Sequence, residues 1–142
     1  MLKKKILILC TGNSCRSQIA EGFIRKFVNN HAEVYSAGIE THGVNANAIN
    51  IMQEIGINIS AHTSNHVDEY ANIEFDYVIT VCDNAKESCP IFPSKAIKIH
   101  QNFPDPAKVT GTNEEIKNAF RHTRELIEIF SLDFAKKYFS SN

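Results

Sequence analysis

Ile6-Leu7-Ile8-Leu9-Cys10-Thr11-Gly12-Asn13-Ser14-Cys15-Arg16-Ser17 is the stretch that decides how this chain is read. An apolar run of four reads as a short buried strand. Its end delivers a cysteine into a loop of small residues, and an arginine follows where a helix begins. The backbone N–H groups of such a loop, and of the first helical turn, have no intrahelical partner and suit an anion. Gly12 and Asn13 tolerate the positive φ that a tightly curled loop needs. Arg16 adds a planar fork of donors matched to two oxygens of a tetrahedral oxyanion. A free thiol titrates near 8.5, and helix N-termini and cations bring it to ~3.5–7.5, so Cys10 is expected to be an activated nucleophile. The Ser17 hydroxyl is placed to hydrogen-bond the thiolate. The oxyanion-binding set is thus Thr11, Gly12, Asn13, Ser14, Cys15 and Arg16, with Cys10 as the attacking sulfur. A bare Cys-x5-Arg spacing proves little; the preceding strand, internal Gly and Asn, following Ser and amphipathic helix give it weight.

Outward from this loop, strand and helix patterns alternate. Strands are expected at 5–9, 33–36, 75–81 and 96–100. A helix is expected over 15–28, with Ile19, Ala20, Phe23, Ile24 and Phe27 on one face, and another over 45–55, stopped by Gly56. A long last helix, capped by Asn113, carries the stripe Ile116, Phe120, Thr123, Ile127, Phe130 and Phe134. Alternating βα units imply an α/β fold with three layers, a four-stranded parallel sheet and helices on both faces. Residues 1–142 read as one domain, with no repeat or linker. Ligands gather at the carboxyl ends of such strands. There the pattern places Cys10, Ser36, Cys82 and the Asp105 loop.

The 142 residues are 43% hydrophobic and 22% charged, which excludes a disordered chain. Fifteen basic against sixteen acidic residues give a net charge of −1, which argues against a nucleic-acid partner. Lys3-Lys4-Lys5 before Ile6–Leu9 mimics a signal peptide, but the apolar stretch is too short; no leader, no membrane partner and a cytoplasmic location are expected. A monomer is expected. In a reducing compartment the four cysteines point to catalysis or redox chemistry rather than structural bridges. No metal-ligand spacing is legible. His62 and His66 stand four apart without the glutamate of a zinc-protease helix and read as ordinary polar residues.

Phe103-Pro104-Asp105-Pro106 is a stiff loop holding a carboxyl group. Asp105 is suited to protonate an oxygen leaving the bound oxyanion. Cys82 and Cys89 follow the third strand and suit a redox relay, because a thiolate attacks sulfur that is already bonded to another atom. Cys15 reads as structural.

Together, Cys10 to Ser17, Cys82, Cys89 and Asp105-Pro106 resemble the thioredoxin-coupled arsenate reductases, which share the low-molecular-weight phosphatase fold. The likeness runs from first strand to last helix and includes Val34-Tyr35-Ser36-Ala37-Gly38-Ile39-Glu40-Thr41-His42-Gly43. The resemblance implies that Cys10 attacks arsenate held by the loop amides and Arg16 while Asp105 protonates the departing oxygen. Cys82 then attacks the adduct, releasing arsenite and leaving a Cys10–Cys82 disulfide. Cys89 converts this to Cys82–Cys89, which thioredoxin reduces. Phosphate or sulfate would compete for the loop. No cofactor is implied as a requirement. Some relatives bind potassium through positions matching Asn13, Glu21, Ser36 and an acidic group, which here matches Asn65. The nucleophile loop alone is equally that of a low-molecular-weight tyrosine phosphatase hydrolysing phosphomonoesters, with side phosphatase activity expected, or of an oxyanion or redox sensor. Residues 83–88 are expected to unwind on oxidation, since a helix there would separate Cys82 and Cys89 by about 10 Å, beyond a disulfide's reach of roughly 7 Å.

Overall fold

The computed structural model describes residues 3–83 and 95–140. Strand β1 (Lys4–Cys10) sits inside a four-stranded parallel sheet of order β2-β1-β3-β4, formed with β2 (Ala32–Gly38), β3 (Tyr77–Thr80) and β4 (Ile97–His100). Ile6, Leu7, Ile8 and Leu9 are all fully buried. A strand covered on both faces needs that unbroken apolar run rather than an alternating pattern.

Helix α1 (Arg16–Val28) buries Ile19, Ala20, Phe23, Ile24 and Val28, and Phe27 packs against the core from its edge. Gly22 lets this helix come close to its neighbour: a Cβ there would lie 3.0 Å from Met52 Cε and 3.1 Å from Ile59 Cγ2. Helix α2 (Ala46–Gln53) starts where the Asn45 side chain accepts from the amides of Asn47 and Ala48, and the chain leaves it through Gly56 at φ 80°. Helix α3 (Asn113–Phe139) buries Phe120, Thr123, Ile127 and Phe134 of the expected stripe, with Ile116 and Phe130 packed at its edge.

Two local expectations are corrected. Thr112, not Asn113, caps α3: its hydroxyl accepts from the Glu115 amide and Glu115 reciprocates on the Thr112 amide, a capping box that Asn113 has no partner to form. The third strand is shorter than 75–81. Phe75 leaves the ladder to pack edge-on against Tyr35 and Tyr70, and the Asp76 carboxylate accepts from the Lys5 amide.

The strand order reverses direction on either side of β1, so the crevice of this sheet opens at the carboxyl end of β1. Cys10 is the last residue of that strand. Among the described residues, no helix is long and apolar enough to cross a membrane.

At the end of α2, Glu54 ties that helix to α3. Its carboxylate accepts from Arg121 Nε and Nη2 at 3.1 and 2.7 Å and from Arg124 Nη1 at 2.8 Å. Hydrogen bonds from Arg121 and then Arg124 pull its pKa down to about 2. Because the folded pKa is depressed, the stabilisation is complete above the unfolded value of roughly 4.3 and is lost as pH falls toward the folded one. Glu54→Gln is therefore expected to lower the urea midpoint at pH 7, with the difference from wild type vanishing between pH 4 and pH 2 as followed by circular dichroism.

Candidate active site

The loop after β1 is held from outside through its carbonyl oxygens. Cys10 O accepts from the Ile39 amide, Thr11 O from Glu40, Gly12 O from His42 and Ser14 O from Asn45, at 2.8–3.3 Å. Ser64 Oγ adds a bond to Gly12 O, and Gln18 Nε2 donates to Asn13 O at 3.0 Å. In a trans peptide the N–H points opposite to the preceding carbonyl. With the carbonyls of Thr11, Asn13 and Ser14 turned out, the amides of Gly12, Ser14 and Cys15 turn in, and these three residues line a cavity of about 310 Å³.

Cys10, Thr11, Arg16, His42, Asp105, Ala107 and Lys108 complete the lining. Arg16 Nη1 donates to Phe103 O at 3.0 Å and Nη2 lies 3.6 Å from Asp105 Oδ2, so the guanidinium joins the loop to the Asp105 segment. Asp105 Oδ1 accepts from the Ala107 amide at 3.0 Å, which fixes the carboxyl group over the cavity edge. Pro106 occupies the first position of the short turn Pro106–Lys108 that Asp105 caps.

Cys82, just past β3, is buried beside the nucleophile. Thr11 Oγ1 lies 3.2 Å from Cys82 Sγ, and Cys82 is the first cause acting on the Cys10 thiol. That influence of Cys82, followed by burial, pushes the Cys10 thiol well above its ordinary range, with Arg16 pulling the other way. The expectation of a depressed Cys10 pKa is thus overturned. When two thiols share one site, the first to ionise holds the proton on the second. Cys15 is also a buried thiol, raised to about 11 chiefly by burial. Cys10 and Cys15 are free thiols. Cys89, and residues 84–88 of the expected switch, lie outside the described residues.

Asn13 and Ser17, two residues of the sequence-derived set, do not line the cavity. Asn13 is fully buried at φ 49°, with Nδ2 donating to Ser17 Oγ at 2.8 Å and Ser36 Oγ at 2.9 Å, and Oδ1 accepting from the Asn65 amide at 2.8 Å. Ser36 Oγ in turn donates to Glu21 Oε1 at 2.6 Å, and the other Glu21 oxygen pairs with Arg25. His62 joins this network through Gln18 and lies 3.6 Å from Glu21; burial depresses its pKa against the pull of Glu21. The oxygens that would face a potassium ion are therefore engaged. Asn65 turns its side chain away, toward Thr63 and Glu69. His66 caps the short turn Val67–Tyr70.

Comparison with known proteins places this geometry. The model of the low molecular weight phosphotyrosine protein phosphatases matches residues 5–138. The chain belongs to that family. It is 50% identical over 127 residues to an arsenate reductase of Halalkalibacterium halodurans, covering 89% of this chain and 91% of that one. It is 43% identical over 136 residues to the arsenate reductase of Bacillus subtilis, covering 96% and 98%. A solved arsenate reductase in its phosphate-binding state superposes with a TM-score of 0.76 at 29% identity, over 94% of this chain and 98% of that one. In this phosphatase-family chain, sequence reasoning missed His42, Lys108 and Gln18. None stands within the loop motif, and only the packing of 39–45, 63–65 and 105–108 around the loop brings His42 and Lys108 to the cavity.

Gly38 shows how tight that packing is. A Cβ there would come within 2.3 Å of Glu40 O, 2.7 Å of Asn13 N and 2.8 Å of Thr11 O. Gly38→Ala is expected to cost about 1–3 kcal/mol, as overpacking does, and to weaken phosphate binding because the clash falls on the carbonyls that shape the loop. Thermal denaturation with and without phosphate checks both effects.

Proposed function

We propose that this chain is an arsenate reductase that works through a Cys10, Cys82 and Cys89 thiol relay, with thioredoxin as the reductant. The observation that carries the reading is a second buried sulfur beside the nucleophile loop: Cys82 Sγ lies 3.2 Å from Thr11 Oγ1 and close enough to Cys10 to raise its pKa. A phosphatase needs one sulfur there; a reductase needs a second within reach of the first. Relatives named arsenate reductase at 43–50% identity support the same reading.

Loop amides and Arg16 bind the arsenate oxygens and spread their charge. Loss of the Cys10 proton gives the thiolate that forms the sulfur–arsenic bond, while Asp105 hands a proton to the oxygen that leaves. Cys82 thiolate then attacks Cys10 sulfur. The new disulfide forms as the sulfur–arsenic bond breaks, and that electron pair stays on arsenic, taking it from As(V) to As(III). Cys89 thiolate attacks Cys82 and frees Cys10, and an external dithiol reduces the Cys82–Cys89 bond.

Cys10→Ser is expected to abolish arsenate reduction and aryl-phosphate hydrolysis alike, and Arg16→Lys to impair both severely. Cys82→Ser should end multiple-turnover arsenate reduction while leaving aryl-phosphate hydrolysis largely intact. Thioredoxin-dependent NADPH oxidation on adding arsenate reads the first activity; full arsenate turnover by Cys82→Ser would overturn the relay, and wild type that cleaves aryl phosphate without any arsenate turnover would favour the phosphatase alternative.

Potassium has no part in this reading. Glu21 already has Ser36 and Arg25 as partners, and Asn65 supplies no charge. The melting temperature and turnover are expected to be equal in potassium and sodium salts, and a rise specific to potassium would overturn this.

A further inference from the structure

Of the residues lining the oxyanion cavity, His42 has no place in the chemistry above. It lies on the segment that follows β2, and its amide donates to Gly12 O at 3.0 Å. Its ring stands directly over the loop: a Cβ added to Gly12 would meet His42 Nδ1 at 2.5 Å. The opposite ring nitrogen, Nε2, lies 2.9 Å from Glu40 Oε2. Among the described residues Nδ1 has no hydrogen-bond partner.

These contacts fix the chemistry of the ring. An ionised carboxylate only accepts, so Nε2 carries a hydrogen, and in the neutral ring Nδ1 is left with a bare lone pair. The inward amides, the Arg16 guanidinium and Lys108 at the same cavity are donors only, and the Thr11 and Ser14 hydroxyls can turn either way. Asp105 is an acceptor too, but one of its oxygens takes the Ala107 amide and the other faces Arg16. Nδ1 is thus an uncommitted acceptor at the rim of a pocket of donors.

Such an acceptor distinguishes oxyanions of the same shape. At neutral pH arsenate and phosphate carry at least one hydroxyl, whereas sulfate carries none. A hydroxyl donates to Nδ1; a sulfate oxygen sets its lone pairs against the lone pair of the ring. We infer that His42, oriented by Glu40, is a specificity-determining residue that selects hydroxyl-bearing oxyanions over sulfate. Glu40 is the positioning residue, since its carboxylate decides which ring nitrogen is bare.

This inference rests on the oxyanion pocket of the proposed reductase, and binding can test it separately from turnover. The probes are inorganic phosphate and sulfate, titrated calorimetrically at neutral pH into the reduced wild-type protein and into His42→Phe and Glu40→Gln. Wild type is expected to bind phosphate the more tightly. His42→Phe should shrink the ratio of sulfate to phosphate Kd by about tenfold, the worth of one hydrogen bond, chiefly by weakening phosphate. Glu40→Gln keeps the ring but frees its tautomer, and should shrink the ratio in the same direction. More than half of each side chain is exposed, at 57% and 61%, so neither replacement disturbs the core. A ratio unchanged in His42→Phe, or a wild type without preference for phosphate, overturns the inference. Wild type that shows the ratio but no arsenate-dependent turnover would instead overturn the reductase reading alone.

Discussion

Asn13 holds its backbone at φ 49° while fully buried, and its side-chain amide is bonded to Ser17, Ser36 and the Asn65 backbone. The rest of the site depends on that knot. A left-handed residue in the middle of the loop reverses the path of the chain, and the buried hydrogen bonds repay the conformational cost. Once the loop is curled, its carbonyls meet the segment after β2 on the outside and its amides converge on the inside. An anion pocket is then the inner surface of a well-satisfied backbone, and no lysine or metal is needed to make it.

The network behind Asn13 reaches Glu21, Arg25 and His62. A buried carboxylate beside an oxyanion pocket would repel the substrate unless its charge were compensated. Arg25 compensates it from within the chain. The arrangement also shows why the roles of Asn13 and Ser17 lie one layer below the cavity: both side chains are consumed in shaping the loop. Ser17 accepts from Asn13, and its own hydroxyl hydrogen remains available to donate.

Pairing two thiols in one buried site has an electrostatic consequence that a single cysteine would escape. Arg16 and the start of α1 favour the thiolate of Cys10, yet the neighbouring Cys82 and burial outweigh them. Arg16 is bonded to Phe103 O and faces Asp105, which links its guanidinium fork to the Asp105 carboxyl group at the edge of the same cavity.

The apolar run at Ile6–Leu9, the small-residue loop and the helical stripes by themselves determined a parallel α/β sheet with a cysteine at the end of its central strand, because burial on both faces and period-3.6 amphipathicity are local patterns. The Cys10, Arg16 and Asp105 grouping followed from where strands end. Local pattern also misled at Thr112, where the reciprocal bond from Glu115 decided the cap, and at Phe75, which an aromatic cluster took from the strand. Only the tertiary structure decided that the Asn13 side chain turns from the cavity into the buried network beneath it, that Cys82 sits beside Cys10 and lifts its pKa, and that His42 stands over Gly12. Each is a contact between segments far apart in the chain, and the direction of a side chain or the field at a thiol is set by what packs against it, which spacing along a sequence does not encode.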